Sequence, residues 1–320
     1  MTNFEHENIE PFNDVYYCGC DSLIYFTAIK YLGGNIFSYM ANDIFTYVHE
    51  NNKPCPSIAL KNTPIKPLYE INEINNICLE RINIGSNNLV DVIKDILLNG
   101  SIVIVPADGF YYRHPYHDLF YQRVHHDQSF LIYGFNTVNE TFKIVDVNGF
   151  EWNTENCCYK NEIDFKELQS CYENILSNGL LLPIQKLSKK ESSNMINYQP
   201  HLYRELLIEN IINNKSVILE GLEKIKNLTN KTSINISKTE CFNNKVASIS
   251  NMYRTSKIIG HNEDEIYFLK EIHNRWIYIE HLVYKYEMKK RSEDQKIEVL
   301  SQIFDLEAIY YTNFFSKYGG

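Results

Sequence analysis

The chain has no long apolar run. Its most hydrophobic stretches, SIVIVPA and GLLLP, stop far short of the ~18–20 residues a membrane span requires. The opening MTNFEHENIEPF has neither a basic segment nor an apolar stretch before a cleavage site, so no signal peptide is expected and a cytoplasmic location is. Positive charge is in deficit. With 31 Lys and Arg against 40 Asp and Glu, the net charge is −9 and the pI about 5.6, a balance that repels a phosphate backbone and argues against a nucleic-acid partner. No GxxxxGKS/T loop is present, and no GxGxxG follows a strand, so nothing cradles a nucleotide phosphate. The strong zinc patterns, paired CxxC or HExxH, are also missing. Soft donors occur only as Cys18-x-Cys20, Cys157-Cys158 and His114-x-x-His117, and neither a metal nor a cofactor is expected.

What is present is ordinary globular composition, 44% apolar and 22% charged, over 320 residues, enough for two domains. Tyr (24) and Phe (17) are abundant, which supplies large burial area and flat binding walls, or simply a Tyr-rich core. Eight Cys in a chain of this length and compartment read as reduced thiols, with one or two reactive, rather than as a bridge framework.

CDSLIYFTAIKYLGG predicts a helix that starts at Cys20 or Asp21 and stops at Gly33–Gly34, with Leu23, Phe26, Thr27 and Tyr31 along one stripe. A second helix is expected from Phe37 to Val48, and Pro54, Pro56, Pro64 and Pro67 then break the chain into loops. Leu89, Val90, Ile93, Ile96 and Leu97 recur at helical spacing up to Gly100, and SIVIVPAD follows as a strand buried on both faces. SFLIYGFNTVNETFKIVDV reads as a β-hairpin. A helix over 164–176 and a strand at GLLLPIQ complete an α+β domain over residues 1–185. Residues 186–198 are polar and aperiodic, a linker. Helical patterns at about 200–230, 240–258, 263–290 and 293–315 make a helical domain over 199–320.

A thiol is activated when its thiolate is stabilised, and a helix N-terminus does this with unpaired N–H groups and the positive end of its dipole. Cys20 holds that place, and Cys18 is the second choice. Such a nucleophile needs a histidine to take its proton and a group to orient the ring. His114, His117, His125 and His126 all stand before the hairpin, and Asp146 on its returning strand is placed to orient an imidazole.

Three of these stretches together resemble the butirosin biosynthesis protein H N-terminal family, itself similar to the bacteriocin-processing double-glycine cysteine peptidases. CDSLIYFTAIKYLGG looks like the nucleophile helix, SIVIVPADGFYY like the central strand, and FLIYGFNTVNETFKIVDV like the hairpin with Gly134 and Asp146 at matching places. The likeness covers about residues 13–185. It implies a papain-like cysteine protease fold with a C-terminal helical extension, and acyl transfer through a Cys20 acyl-enzyme. In the biosynthetic branch, which includes the amide-forming enzyme of closthioamide assembly, the implied donor is an acyl thioester on an acyl or peptidyl carrier protein and the acceptor a small amine. The expected activity is thus that of a cysteine-dependent acyltransferase in nonribosomal natural-product biosynthesis. A double-glycine-type peptidase and a noncatalytic carrier-protein-binding member stand as alternatives.

One departure bears on the chemistry. The family's catalytic histidine stands six residues before the hairpin glycine, and that position is Gln128, whose amide cannot act as a general base. His126 is therefore expected to serve as the base, oriented by Asp146 through a slipped or bulged hairpin. Alternatively the chain is a degenerate binding member or carries an altered residue at 128. Asn13 and the helix N-terminus are expected to hold the oxyanion. Docking of an acidic carrier would use Lys189 and Lys190, or Lys289 to Arg291.

Overall fold

A computed structural model describes residues 3–13, 20–40, 42–50, 57–64, 66–85, 88–116, 120–147, 157–177, 182–190, 200–229, 262–289 and 293–319. The chain divides into two compact units, residues 1–36 with 68–198, and residues 37–67 with 199–320. The sequence reading put 37–67 with the first unit.

The first unit is α+β. Seven of its described strands form one antiparallel sheet: β1 (Asn3–Glu5), β4 (Ile77–Ile82), β5 (Ile102–Asp108), β6 (Asp127–Asn136), β7 (Thr141–Val147), β8 (Cys158–Asp164) and β9 (Ile184–Lys189). The order is β4-β9-β5-β6-β7-β8, with β1 added to the far end of β6. Its helices are α1 (Cys20–Tyr31), α3 (Leu68–Ile74), α4 (Leu89–Leu98) and α5 (Phe165–Ser177). Asn88 caps α4 by accepting from Val90 N, and Gly100, at φ +78°, takes the left-handed turn that ends it.

Alternation along the strands sorts their residues onto two faces. Phe130, Ile132, Phe142, Ile144, Ile163, Val103, Val105 and Ala107 form one core with Leu89, Ile93 and Leu97 of α4 and Leu168, Cys171 and Tyr172 of α5. Leu131, Val145 and Val147 belong to the other face, where α1 packs on β6 and β7.

The sense in which α1 runs decides where Cys20 stands. Tyr31, at its C-terminal end, bonds His6 Nδ1 (3.1 Å), and His6 N donates to Tyr133 O near the far end of β6. Thr27 Oγ1 lies 3.7 Å from Cys158 Sγ, at the opposite end, where β7 stops and β8 starts. Cys20 is seven residues further on, about 10 Å along the helix axis at 1.5 Å per residue. The N-terminus of α1 therefore overhangs the end of the sheet at which β6 begins.

Two expected elements differ. The helix foreseen over 37–48 is only α2 (Ile36–Met40), after which β2 (Asp43–Glu50) pairs with β3 (Ser57–Pro64) from Asp43↔Pro64 to Glu50↔Ser57. DIFTYVHE is rich in β-branched and aromatic residues, which favour a pleated ladder over a helix. The strand foreseen at GLLLPIQ is β9, shifted to Ile184–Lys189, so the foreseen linker 186–198 loses its first four residues to the sheet. There Leu187 pairs with both Leu79 and Ile102. Residues 191–199 lie outside the described set.

In the second unit, α6 (Pro200–Asn213) and α7 (Lys215–Thr229) break at Asn214, and α8 (Glu263–Lys289) packs on α9 (Glu293–Tyr318). Trp276 Nε1 donates to the fully buried Glu307 at 3.0 Å, satisfying both inside a core of Leu269, Ile272, Ile303 and Phe304. The helix foreseen over 240–258 falls outside the described residues. No described helix is long and apolar enough to cross a membrane.

Candidate functional site

The end of the sheet under the α1 N-terminus carries the polar chemistry. Asp146, the penultimate residue of β7, has no exposed surface and is held by four donors. Gln128 Nε2 and Val147 N donate to its Oδ1, and the hydroxyls of Tyr112 and Tyr159 to its Oδ2, each at 2.7 Å. Asn161 Nδ2 in turn donates to Tyr112 Oη at 3.0 Å. Tyr116 N donates to His114 Nδ1 (3.2 Å), which leaves the ring proton on Nε2, where it meets Tyr159 Oη at 2.9 Å. A proton chain thus runs from His114 through Tyr159 to Asp146.

Burial pushes the Asp146 carboxyl above the usual aspartate range, against the pull of its donors, Tyr159 foremost. Burial, and next the Asp146 charge, push Tyr112 and Tyr159 far above the ordinary phenol value. The hydroxyls remain donors, and the network is built to hold one carboxylate.

Strand register fixes which residue reaches Asp146. Leu131 pairs with Val145 and Ile132 with Ile144, so Asp146 lies across from Phe130 and diagonal to Gln128, on the face covered by α4 and α5. The expected contact of His126 with Asp146 is not formed. A bulge does occur in β6, between Ile132 and Gly134, but it lies beyond the site and leaves Gln128 beside the carboxylate. His126 precedes the strand, stacks on Phe120 with centroids 4.2 Å apart, and lies so close to Gly109 that a Cβ there would be 1.8 Å from its Cε1. Asn13 clamps the start of β8: Nδ2 donates to Cys158 O (2.8 Å), while Oδ1 accepts from Cys158 N (2.9 Å) and Cys157 Sγ (3.2 Å). Its oxygen is thereby committed to holding the strand.

A second imidazole and carboxylate meet one residue further out. Asp108, the last residue of β5, pairs with Asp127, and alternation sends it to the face opposite Gln128, the one α1 covers. Its Oδ2 lies 2.6 Å from His125 Nδ1, and its Oδ1 accepts from Phe110 N at 3.0 Å. The His125 ring stacks on Phe110 at 4.3 Å and 11°. Asp108 is buried while the His125 side chain is 56% exposed, so the ring is fixed at Nδ1 and open at Nε2. No single-sequence signal linked these two residues, which are 17 apart in the chain.

Of the thiols, Cys18 lies outside the described residues, and Cys20 is described only as the first residue of α1. Cys157, Cys158 and Cys171 are buried; burial pushes the Cys158 thiol up to about 12 and raises that of Cys171 as well, so neither is a ready nucleophile at neutral pH. Lys190 Nζ is 3.6 Å from Glu73 Oε1. His117 and Lys290–Arg291 are not among the described residues, and among those that are, no group of three or more His, Cys, Asp or Glu is placed to hold a metal ion.

Compared with known proteins, the chain matches no protein-family model, and no curated protein matches it either.

Proposed function

We propose that the protein is a Cys20-dependent acyltransferase that takes an acyl group from a thioester on a carrier protein and passes it to an amine, forming an amide. The observation that carries this reading is the start of α1 at Cys20, overhanging the sheet end at which the polar residues gather. A helix N-terminus has unpaired N–H groups, which favour a thiolate at its first residue and then an oxyanion beside it.

Leaving-group chemistry separates the candidate reactions. Cleaving a peptide requires a proton for the departing amine. A thioester releases a thiolate, a far better leaving group, and an amine attacks an acyl-cysteine more readily than water does. Leaving-group chemistry therefore favours thioester-to-amine transfer over proteolysis, whichever residue carries the protons. Gln128 beside Asp146, where the resemblance expects a base, favours the noncatalytic carrier-binding alternative, which predicts binding without turnover.

The experiment offers an acylated carrier protein with and without a primary amine. Amide formation that needs both the amine and Cys20 supports transfer. Peptide cleavage without an acceptor supports a peptidase, and carrier binding that survives thiol alkylation with no turnover supports the adaptor.

A further inference from the structure

We propose that His125, oriented by Asp108, is the catalytic acid and base that serves Cys20; this rests on the acyl-transfer reading and names the residue that moves its protons. A working imidazole needs one nitrogen anchored and the other open. His114 has both nitrogens engaged, by Tyr116 N and Tyr159 Oη, within the Asp146 network. His126 is wedged between Gly109 and Phe120, and His6 is bonded to Ser101 O and Tyr31 at the far end of the sheet. Gln128 does not titrate near neutrality. His125 alone among the described histidines of this sheet end has a buried carboxylate on Nδ1 and an open Nε2.

The register supplies the second argument. Gln128 and Asp146 stand on the face of α4 and α5, whereas Asp108 alternates to the face of α1, whose first residue is Cys20. The Phe110 ring stacked on His125 fixes its plane, and Tyr111 borders it at 6.2 Å. Asp108 is itself held by Phe110 N, so the pair is anchored from both ends.

The proton balance closes over one turnover. His125 Nε2 takes the Cys20 proton in the first step. The thiolate attacks the thioester carbonyl, the carbonyl-to-sulfur bond of the donor breaks, and the departing thiolate takes the proton from Nε2. The amine then attacks the acyl-cysteine and loses a proton to Nε2, and the bond to the Cys20 sulfur breaks. Thioester and amine become amide and free thiol, and the imidazolium–thiolate pair is restored. Asp108 takes no proton in this cycle and acts as a positioning residue.

The test follows alkylation of Cys20 by iodoacetamide, located by peptide mass, from pH 5 to 9. The alkylation itself needs no acyl donor. A neighbouring imidazolium keeps a thiol ionised into the acid range, so wild type should react at pH 6 about tenfold or more faster than His125→Gln, with the two within about twofold at pH 9. Asp108→Asn should fall between, and added imidazole should restore amine transfer to His125→Ala. Coincident profiles for wild type and His125→Gln overturn the assignment even where a thioester still loads Cys20. Separated profiles with no loading uphold His125 and remove the acyl-transfer reading instead.

Discussion

Gln128 Nε2 donates to Asp146 Oδ1 at 2.7 Å, the fourth donor round a carboxylate with no exposed surface. The bond also sets the glutamine's orientation. With the amide nitrogen on the carboxylate, Oε1 faces away from it and makes no hydrogen bond among the described residues.

Removing that donor should destabilise the first unit. Gln128→Ala leaves Asp146 Oδ1 with the Val147 N–H alone, and is expected to cost about 1–3 kcal/mol in urea unfolding. Gln128→Glu should cost more at neutral pH and recover on acidification. A second carboxyl beside a buried one has its folded-state pKa raised, and stability from such a group is present below the unfolded value and lost as pH rises through the folded one. A Gln128→Glu deficit independent of pH between 5 and 8 would contradict the contact.

Buried thiols give a second check. Cys157, Cys158 and Cys171 should resist alkylation at pH 8 until the protein unfolds, while the partly exposed Cys78 reacts in the folded state. For Cys158 burial pushes the folded value up to about 12, above the ordinary thiol range, so its contribution to stability is whole below the unfolded thiol's value and declines as pH rises toward 12. Urea titrations of wild type and Cys158→Ser should converge across that window.

Gly109→Ala should displace His126, since the new Cβ falls 1.8 Å from its ring and the ring is backed by Phe120. Overpacking of this kind costs about 1–3 kcal/mol. In Gly109→Ala with His126→Ala the obstructing ring is gone, so the pair should be less destabilised than the sum of the singles. Simple additivity would mean that the ring does not occupy that place.

Gly134→Ala should detach β1 from β6. The added Cβ would lie 2.7 Å from Phe4 O, a backbone atom with no room to yield. Hydrogen exchange at His6 N, which bonds Tyr133 O, should speed up while the β6–β7 amides keep their protection.

The start of α1 at Cys20 was legible because Asp21 and Ser22 suit a first turn and Gly33–Gly34 end the stripe. Strand β5 was legible as a continuous apolar run, β6 and β7 as a hairpin about a polar loop, and Asp146 from its place on the returning strand. Three things were not. In DIFTYVHE, Ile44 and Val48 also stand four apart, so the short segment fits helical spacing until its partner strand across Pro54 and Pro56 is known. Leu187 is one apolar residue among Lys and Gln, too few to show a period, although it lies mid-sheet. Most consequential, the spacing from His126 to Asp146 does not say which histidine stands on which face. One step along β6 moves a side chain through the sheet, and only the pairing of Asp108 with Asp127 settles the parity. Tyr112 and Tyr159 reach Asp146 from 34 and 13 residues away, contacts that no local pattern announces.

The whole reading turns on the chemistry of Cys20, and intact-protein mass after exposure to a short-chain acyl thioester examines it with one reagent. We expect a single acyl increment mapped to the Cys20 peptide, absent in Cys20→Ala, retained in Cys18→Ala and discharged as an amide when a primary amine is added. An unmodified protein, or an increment carried by another cysteine, would contradict it.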